Sequence, residues 1–453
     1  ALDPVIDQAF GESSELRYHS PILQRAVEGL FVALAAWRTA SVLLWTLTRK
    51  AARETADSML PQATAQLSAD GGEAWLARPV ILRHTTDLAA QKLMTMPADT
   101  PPVRLLADKT AAAFSGLSRA LDALALLMAD PRRRLPRRRG VRHLDIPDRL
   151  PALVNGARTF VTVAIVTLLW IVSAWPGGAQ AIVFAMIVST LMAPRADQAY
   201  AAALISFIGI IFDLIITSII TFAVLPATGV ETFVGLSMVL AFCLVPLGAL
   251  LAHAREPWQV GLFTAMTMIF MPLFAPSNQM NYDVTNFYNT SLGIVVGAGV
   301  ATLAFRLIPP LSPAYRTQRL LDLALGDLRR LLHRRAAPSV HAWDSRGISR
   351  LSAMPDSAEP LQRAQMLAVI LVGAEIIRLR RVARRFGLDA PLDAGLARLA
   401  HGDVAFAIDD LARLDRRLEE WQTLAAVRAR ARILAISGAL AQHPAHFGQL
   451  AAA

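Results

Sequence analysis

Four long stretches of this chain carry no charged side chain, and together they decide which solvent it folds in. Thr159 to Pro194 runs for 36 residues without Asp, Glu, Lys or Arg, and the windows 233–254, 257–282 and 284–305 are equally charge-free. After Arg195 and Asp197 the next charges are Asp213 and Glu231. A helix crosses the hydrocarbon core of a bilayer with about 20 apolar residues, so 155–310 reads as a transmembrane module. Composition agrees. Hydrophobic residues make up 54% of the 453 and charged residues 18%, against roughly 45–50% and about 25% in soluble domains. The surplus needs lipid as a solvent.

The same arithmetic removes other classes. A single cysteine, Cys243, leaves no disulfide framework and no cysteine zinc site. The apolar content is incompatible with disorder. The net charge of +10 could suggest nucleic acid, so the position of the charges has to decide.

Punctuation divides 155–310 into six expected spans, near 157–175, 179–194, 199–224, 232–252, 257–274 and 284–308. The second is short for a full crossing. Arginines give the orientation. If the first span starts in the cytoplasm, the cytoplasmic turns hold Arg195 and Arg255, and the opposite turns 176–178, 225–231 and 275–283 hold no Lys or Arg. Arg132, Arg133, Arg134, Arg137, Arg138, Arg139 and Arg142 precede the first span, and Arg306, Arg316 and Arg319 follow the last. Each junction obeys the positive-inside rule, and an arginine run beside a span reads as an anchor rather than a nucleic-acid site.

Six crossings place both flanks in the cytoplasm. The expected organisation is a cytoplasmic helical domain over 1–130, a basic Pro/Arg linker over 131–154, the membrane module over 155–310 and a second cytoplasmic helical domain over 311–453. Residues 21–60 and 103–129 carry apolar positions at helical spacing. The stretch 27–47 is apolar enough to resemble a span, but Glu28 and Arg38 within it favour a buried soluble helix. Helices are also expected over 313–335, 360–386, 391–413 and 415–441. The fold class is therefore all-α, a polytopic membrane protein of six transmembrane helices flanked by cytoplasmic helical domains.

Several short motifs then fall in a known order. The opening Leu2-Asp3-Pro4-Val5-Ile6-Asp7-Gln8-Ala9-Phe10-Gly11-Glu12-Ser13, with Leu16-Arg17-Tyr18, Ala26-Val27-Glu28-Gly29-Leu30 and Ala36-Trp37-Arg38, resembles the cytoplasmic domain of the fusaric acid resistance (FUSC) family. So do Asn155-Gly156-Ala157-Arg158, Trp175-Pro176-Gly177-Gly178-Ala179, Phe287-Tyr288-Asn289-Thr290 with Gly293, and Phe305-Arg306-Leu307-Ile308-Pro309. The resemblance covers nearly the whole chain, and its specificity lies in the order of the motifs. It implies a bacterial inner-membrane exporter of aromatic carboxylic acids and related amphipathic compounds. It also implies a periplasmic adaptor as partner, and a usual plan of two six-span modules of which this chain carries the second. The chain starts Ala1-Leu2-Asp3-Pro4 without an initiator methionine and is expected to be the later part of something longer, or to function as a homo-oligomer.

Asp213 is the outstanding candidate residue. An acid near the middle of the third span costs on the order of 2.5–3.5 kcal/mol to insert, so it faces protein or water rather than lipid. Ser206 and Thr217 share its face. A carboxyl held there suits proton coupling; the bland alternative is an interhelical hydrogen bond or an ion pair with Arg158. In the last span Asn286, Asn289, Thr290, Gly293 and Gly297 recur along one helical face. The amides and the hydroxyl could bind a substrate carboxylate or bond another helix, whereas the Gly293–Gly297 spacing favours close helix packing. Arg158 could attract an anionic substrate from the cytoplasm or extend to the lipid headgroups. Tyr282, Tyr288, Trp170 and Trp175 read foremost as interfacial anchors.

No enzyme signature is present: the nine histidines are scattered, and no phosphate loop, Gly-x-Ser-x-Gly or dinucleotide fingerprint occurs. No cofactor, metal or nucleic-acid partner is expected, and an ion gradient rather than ATP is the expected driving force. The reading is a proton-driven exporter of organic acids, embedded in the lipid bilayer. The alternatives are a passive organic-anion channel, since plant malate channels are distantly similar to the family, and a membrane-anchored interaction scaffold.

Overall fold

The computed structural model describes residues 20–46, 54, 79–128, 148–229, 232–276, 282–333 and 338–452. The motif at 2–18 and the arginine run at 132–142 lie outside the described residues. Among the described residues every regular element is helical. In chain order these are α1 (Ser20–Thr46), α2 (Pro79–Thr95), α3 (Pro101–Met128), α4 (Leu150–Ser173), α5 (Gly178–Met192), α6 (Ala199–Ile219), α7 (Phe233–His253) and α8 (Pro257–Phe274). They continue as α9 (Val284–Leu307), α10 (Pro313–His333), α11 (Val340–Ser352), α12 (Pro360–Arg385), α13 (Asp389–Ala400), α14 (Val404–Glu419), α15 (Leu424–Gln442) and α16 (Pro444–Gly448). The chain divides into two compact units, Asp148–Tyr315 and the combination of Ala1–Pro147 with Arg316–Ala453.

Each of the six segments expected to cross the membrane is a helix, α4 to α9. Eight helices among the described residues are long and apolar enough to cross, the other two being Arg25–Trp45 in α1 and Pro101–Leu127 in α3. Local chemistry sets the boundaries. Asp283 caps α9, its Oδ1 accepting from the backbone N–H groups of Thr285 and Asn286 at 2.9 and 3.2 Å. Thr232 caps α7 through Gly235 N–H at 3.1 Å, and Glu256 with Gln259 forms a capping box ahead of Pro257 in α8. Ala174 adopts a left-handed conformation, φ 47°, and stops α4 just before Pro176.

Within the 148–315 unit, small residues bring helices together. A Cβ on Gly293 would lie 2.5 Å from Gly177 O, and one on Gly297 would lie 2.2 Å from Ala181 O, so α9 and α5 touch backbone to backbone. Phe184, Val188, Ile210, Ile269, Leu273, Ile294 and Phe305 fill the core between α5, α6, α8 and α9. α7 sits at the periphery and has no buried residue; Phe233 and Phe242 are more than four-fifths exposed. Such a surface suits lipid, in which apolar exposure costs nothing.

The other unit is a helical assembly in which α1–α3 pack with the C-terminal helices: Ala40, Leu43, Leu93, Leu105 and Leu106 share a cluster with Ala431 and Ala435 of α15. Its larger core joins α10 to α16. Two buried arginines close helix ends. Arg104 donates to Met96 O and Leu93 O at 2.8 and 2.7 Å, taking up carbonyls at the end of α2, and Arg380 does the same for Leu331 O and Leu332 O of α10, both at 2.8 Å. The helix expected over 391–413 is two, α13 and α14. They are separated at Gly402, whose φ of +84° a helix cannot accommodate. The helix expected over 415–441 starts only at Leu424, capped by Thr423 Oγ1.

Candidate functional site

The inward face of α6 is unusually polar for a span. Ser206, Asp213 and Thr217 are buried along it, while Ile208, Phe212 and Ile215 face outward. Asp213 is 1% exposed. Its Oδ2 has no hydrogen-bond partner among the described residues, and neither have Thr217 Oγ1 and Thr221 Oγ1. These three groups stand four residues apart, one above the next on the helix. A threonine in a helix ordinarily bonds its hydroxyl to the carbonyl a turn back, as Thr302 does with Ala298 O at 2.8 Å. Thr217 and Thr221 do not.

Beyond Ile219 the helix widens into a π-turn over Ile220–Val224, and Leu225 N–H reaches back five residues to Ile220 O. Pro226 accounts for the disturbance, since it lacks an N–H and crowds the preceding turn. Ser218 Oγ and Tyr288 Oη lie 3.0 Å apart, and Phe222 packs against Phe287 and Tyr288 with ring centroids 5.1 and 6.3 Å away, so this end of α6 is held against α9.

Asp213 lies in the wall of a pocket of about 600 Å³ between α6, α7 and α8. The rest of the lining is almost wholly apolar, with Ile220, Met238, Phe242, Met266 and Phe270 among it, and Cys243 as a further polarisable group. One acid in an apolar chamber of that size can orient an amphipathic molecule or carry a proton, and it offers no second charge to neutralise it.

The other candidates fall elsewhere in the unit. Arg158 is 1% exposed and does not pair with Asp213. Its Nε donates to Ile308 O at 2.8 Å and its Nη1 to Asn155 Oδ1 at 2.9 Å, the guanidinium lies 4.6 Å from the Phe305 ring centroid, and Nη2 has no partner among the described residues. Asn289 Oδ1 accepts from Trp175 Nε1 at 3.1 Å. Thr290 is half-buried and Asn286 is exposed. Asn286, Asn289 and Thr290 do not line the pocket that contains Asp213. Gly293 and Gly297 lie in the contact with α5 described above. Thr221, Cys243 and the apolar wall escaped the sequence reading. Thr221 was accessible through its spacing from Thr217; Met238, Phe242 and Cys243 gave no signal, because α7 is apolar all round.

Residues 1–449 match the model of the Fusaric acid resistance protein family. Among curated proteins, an uncharacterised transporter of Gluconobacter oxydans is 28% identical over 255 residues, covering 54% of this chain and 33% of the relative. The uncharacterised transporter YdhK of Escherichia coli is 29% identical over 243 residues, covering 52% and 34%. The p-hydroxybenzoic acid efflux pump subunit AaeB of Erwinia billingiae is 30% identical over 173 residues, covering 38% and 25%. The aligned stretches thus span at most about a third of these relatives. No solved structure matches the chain.

Proposed function

Since the chain belongs to the Fusaric acid resistance protein family, we propose that it forms part of an inner-membrane efflux transporter for aromatic carboxylic acids and related amphipathic organic acids, driven by the proton gradient. The relatives named as transporters and as a p-hydroxybenzoic acid efflux pump subunit support export of this class of compound. The observation that carries the reading is the buried, unpartnered carboxyl of Asp213 in the wall of a large apolar pocket between α6, α7 and α8.

In this mechanism the ring or chain of the substrate lies against Met238, Phe242, Met266 and Phe270. Asp213 alternates between protonated and charged forms. It takes a proton from the periplasmic side as the substrate leaves there and gives it up to the cytoplasm once the pocket reopens inward, so that proton and substrate cross in opposite directions, as export driven by the proton gradient requires. Arg158, buried against Phe305 and bonded to Ile308 O, joins the cytoplasmic end of α4 to the end of α9 rather than meeting the substrate first. Asn286 and Thr290 offer hydrogen bonds at the opposite end of α9. The termini are cytoplasmic, and a periplasmic adaptor and a second membrane module complete the exporter.

The test is uptake of radiolabelled aromatic acids into everted membrane vesicles holding the chain, with its partner module where required, under an imposed pH gradient. Asp213→Asn is expected to abolish the dependence on the gradient at equal expression. Unchanged gradient-driven uptake in that variant would sink the proton-coupling role.

A further inference from the structure

The unit formed by α1–α3 and α10–α16 contains a second pocket that the transport mechanism does not use. It lies between α1, α3, α11, α12 and α15 and measures about 220 Å³. That is room for roughly seven waters at about 30 Å³ each, the size of a single-ring or short-chain compound. Most of the wall is apolar, with Phe31, Val42, Leu367 and Leu371 prominent. Lys109, Asp344, Glu375 and Arg378 form a charged wall, which also borders an adjoining, more polar pocket of about 540 Å³.

Charge on that wall is uneven. Glu375, 3% exposed, accepts from Lys109 Nζ at 2.5 Å and Arg378 Nη1 at 2.8 Å, and Arg432 Nε stands 3.8 Å from its other oxygen. Three cations thus converge on one carboxylate. Asp344 stands nearby, its carboxyl pushed up from the ordinary aspartate value by burial, and with Glu375 it makes two acids against the three cations. Lys109 is 7% exposed, and among the described residues its ammonium donates only to Glu375, so two of its three N–H donors are unspent. Buried donors on a cation are costly to leave unmet. An apolar pocket bordered by such a cation is complementary to an anion with an apolar body.

We propose that this pocket binds a small amphipathic carboxylate, its ring or chain against Phe31, Val42, Leu367 and Leu371 and its acid group on Lys109 and Arg378. The site is separate from the Asp213 pocket and does not depend on the transport reading. It gives the unit outside the α4–α9 module a means of sensing organic acids.

Gly438 of α15 supplies a clean test. It lines the pocket, and a Cβ built there meets nothing within 4 Å. Gly438→Leu therefore fills the space without displacing backbone and improves helix propensity. The full chain in lipid nanodiscs is titrated calorimetrically with benzoate and, as its neutral counterpart, benzyl alcohol. Saturable benzoate binding is expected, at least tenfold tighter than benzyl alcohol and weakened at least tenfold in Gly438→Leu. Lys109→Gln is expected to bring benzoate down to the level of benzyl alcohol, and it decides the matter if Gly438→Leu does not fold. Absence of benzoate binding, equal binding of both probes, or benzoate binding that survives unchanged in both Gly438→Leu and Lys109→Gln would each overturn the proposal.

Discussion

Trp175 of the turn after α4 donates its indole N–H to Asn289 Oδ1 on α9 at 3.1 Å, joining two segments 114 positions apart. The bond fixes the Trp-Pro-Gly-Gly turn against the last helix of the module. A cycle of Trp175→Phe, Asn289→Leu and the double variant should give a coupling of about 1 kcal/mol in thermal or denaturant unfolding, the usual net worth of one such bond. Zero coupling, with lost transport in Asn289→Leu, would assign Asn289 to substrate rather than to the fold.

Gly297 should tolerate no side chain. A Cβ there would lie 2.2 Å from Ala181 O, which can move only if α5 and α9 separate. Gly297→Val is expected to cost at least about 1–3 kcal/mol, the range for overpacking, and to reduce the yield of folded protein. Gly248→Ala is the control, since its Cβ meets nothing within 4 Å. Equal behaviour of the two variants would contradict the close contact.

The unpartnered hydroxyl of Thr217 is a cost to folding. Replacing it with the isosteric valine should raise stability by about 1 kcal/mol, because a buried polar atom with no partner is removed. Unfolding of Thr217→Val in nanodiscs measures this. A loss of stability instead would reveal an ordered water bonded to the hydroxyl.

Glu375 gives the α10–α16 unit an acid limit. Burial by itself would raise its pKa; Lys109, both charged and hydrogen-bonded to it, together with Arg378 and Arg432 outweighs burial and holds the carboxyl at about 2. A depressed folded-state pKa contributes stability that is fully present above the ordinary carboxylate range near 4.5 and is lost as pH falls toward 2. Acid titration of stability should therefore show a decline across that interval that is absent in Glu375→Gln. The variant itself should lose about 3–5 kcal/mol at neutral pH, since it leaves the buried Lys109 without its counter-charge.

Cys243 is the chain's one cysteine and lines the Asp213 pocket, so thiol labelling reports on that pocket alone. A saturating aromatic acid should slow its reaction with a small membrane-permeant maleimide severalfold. Labelling that is indifferent to every acid tested would place the substrate elsewhere.

The sequence by itself determined the class of the protein and the position of the helices α4–α9. An apolar run of about twenty residues with at most one charge is a local property, and a helix in lipid satisfies it without help from distant contacts. Asp213 was legible for the same reason, being the lone charge within a long apolar run. The close contact of Gly293 and Gly297 could be anticipated from their spacing, though not that the surface they meet is Gly177 and Ala181. Elements whose ends depend on one backbone angle were misjudged: Gly402 breaks 391–413, and α2 and α11 were missed because their apolar pattern is weak. Only the tertiary structure decided which groups face one another. It placed Asp213 with α7 and α8 rather than with Asn286 and Thr290, tied Asn289 to Trp175, and set Lys109 against Glu375 across 266 positions of chain. A helix has several faces compatible with one sequence pattern, and which face meets which neighbour is fixed by packing among all helices together.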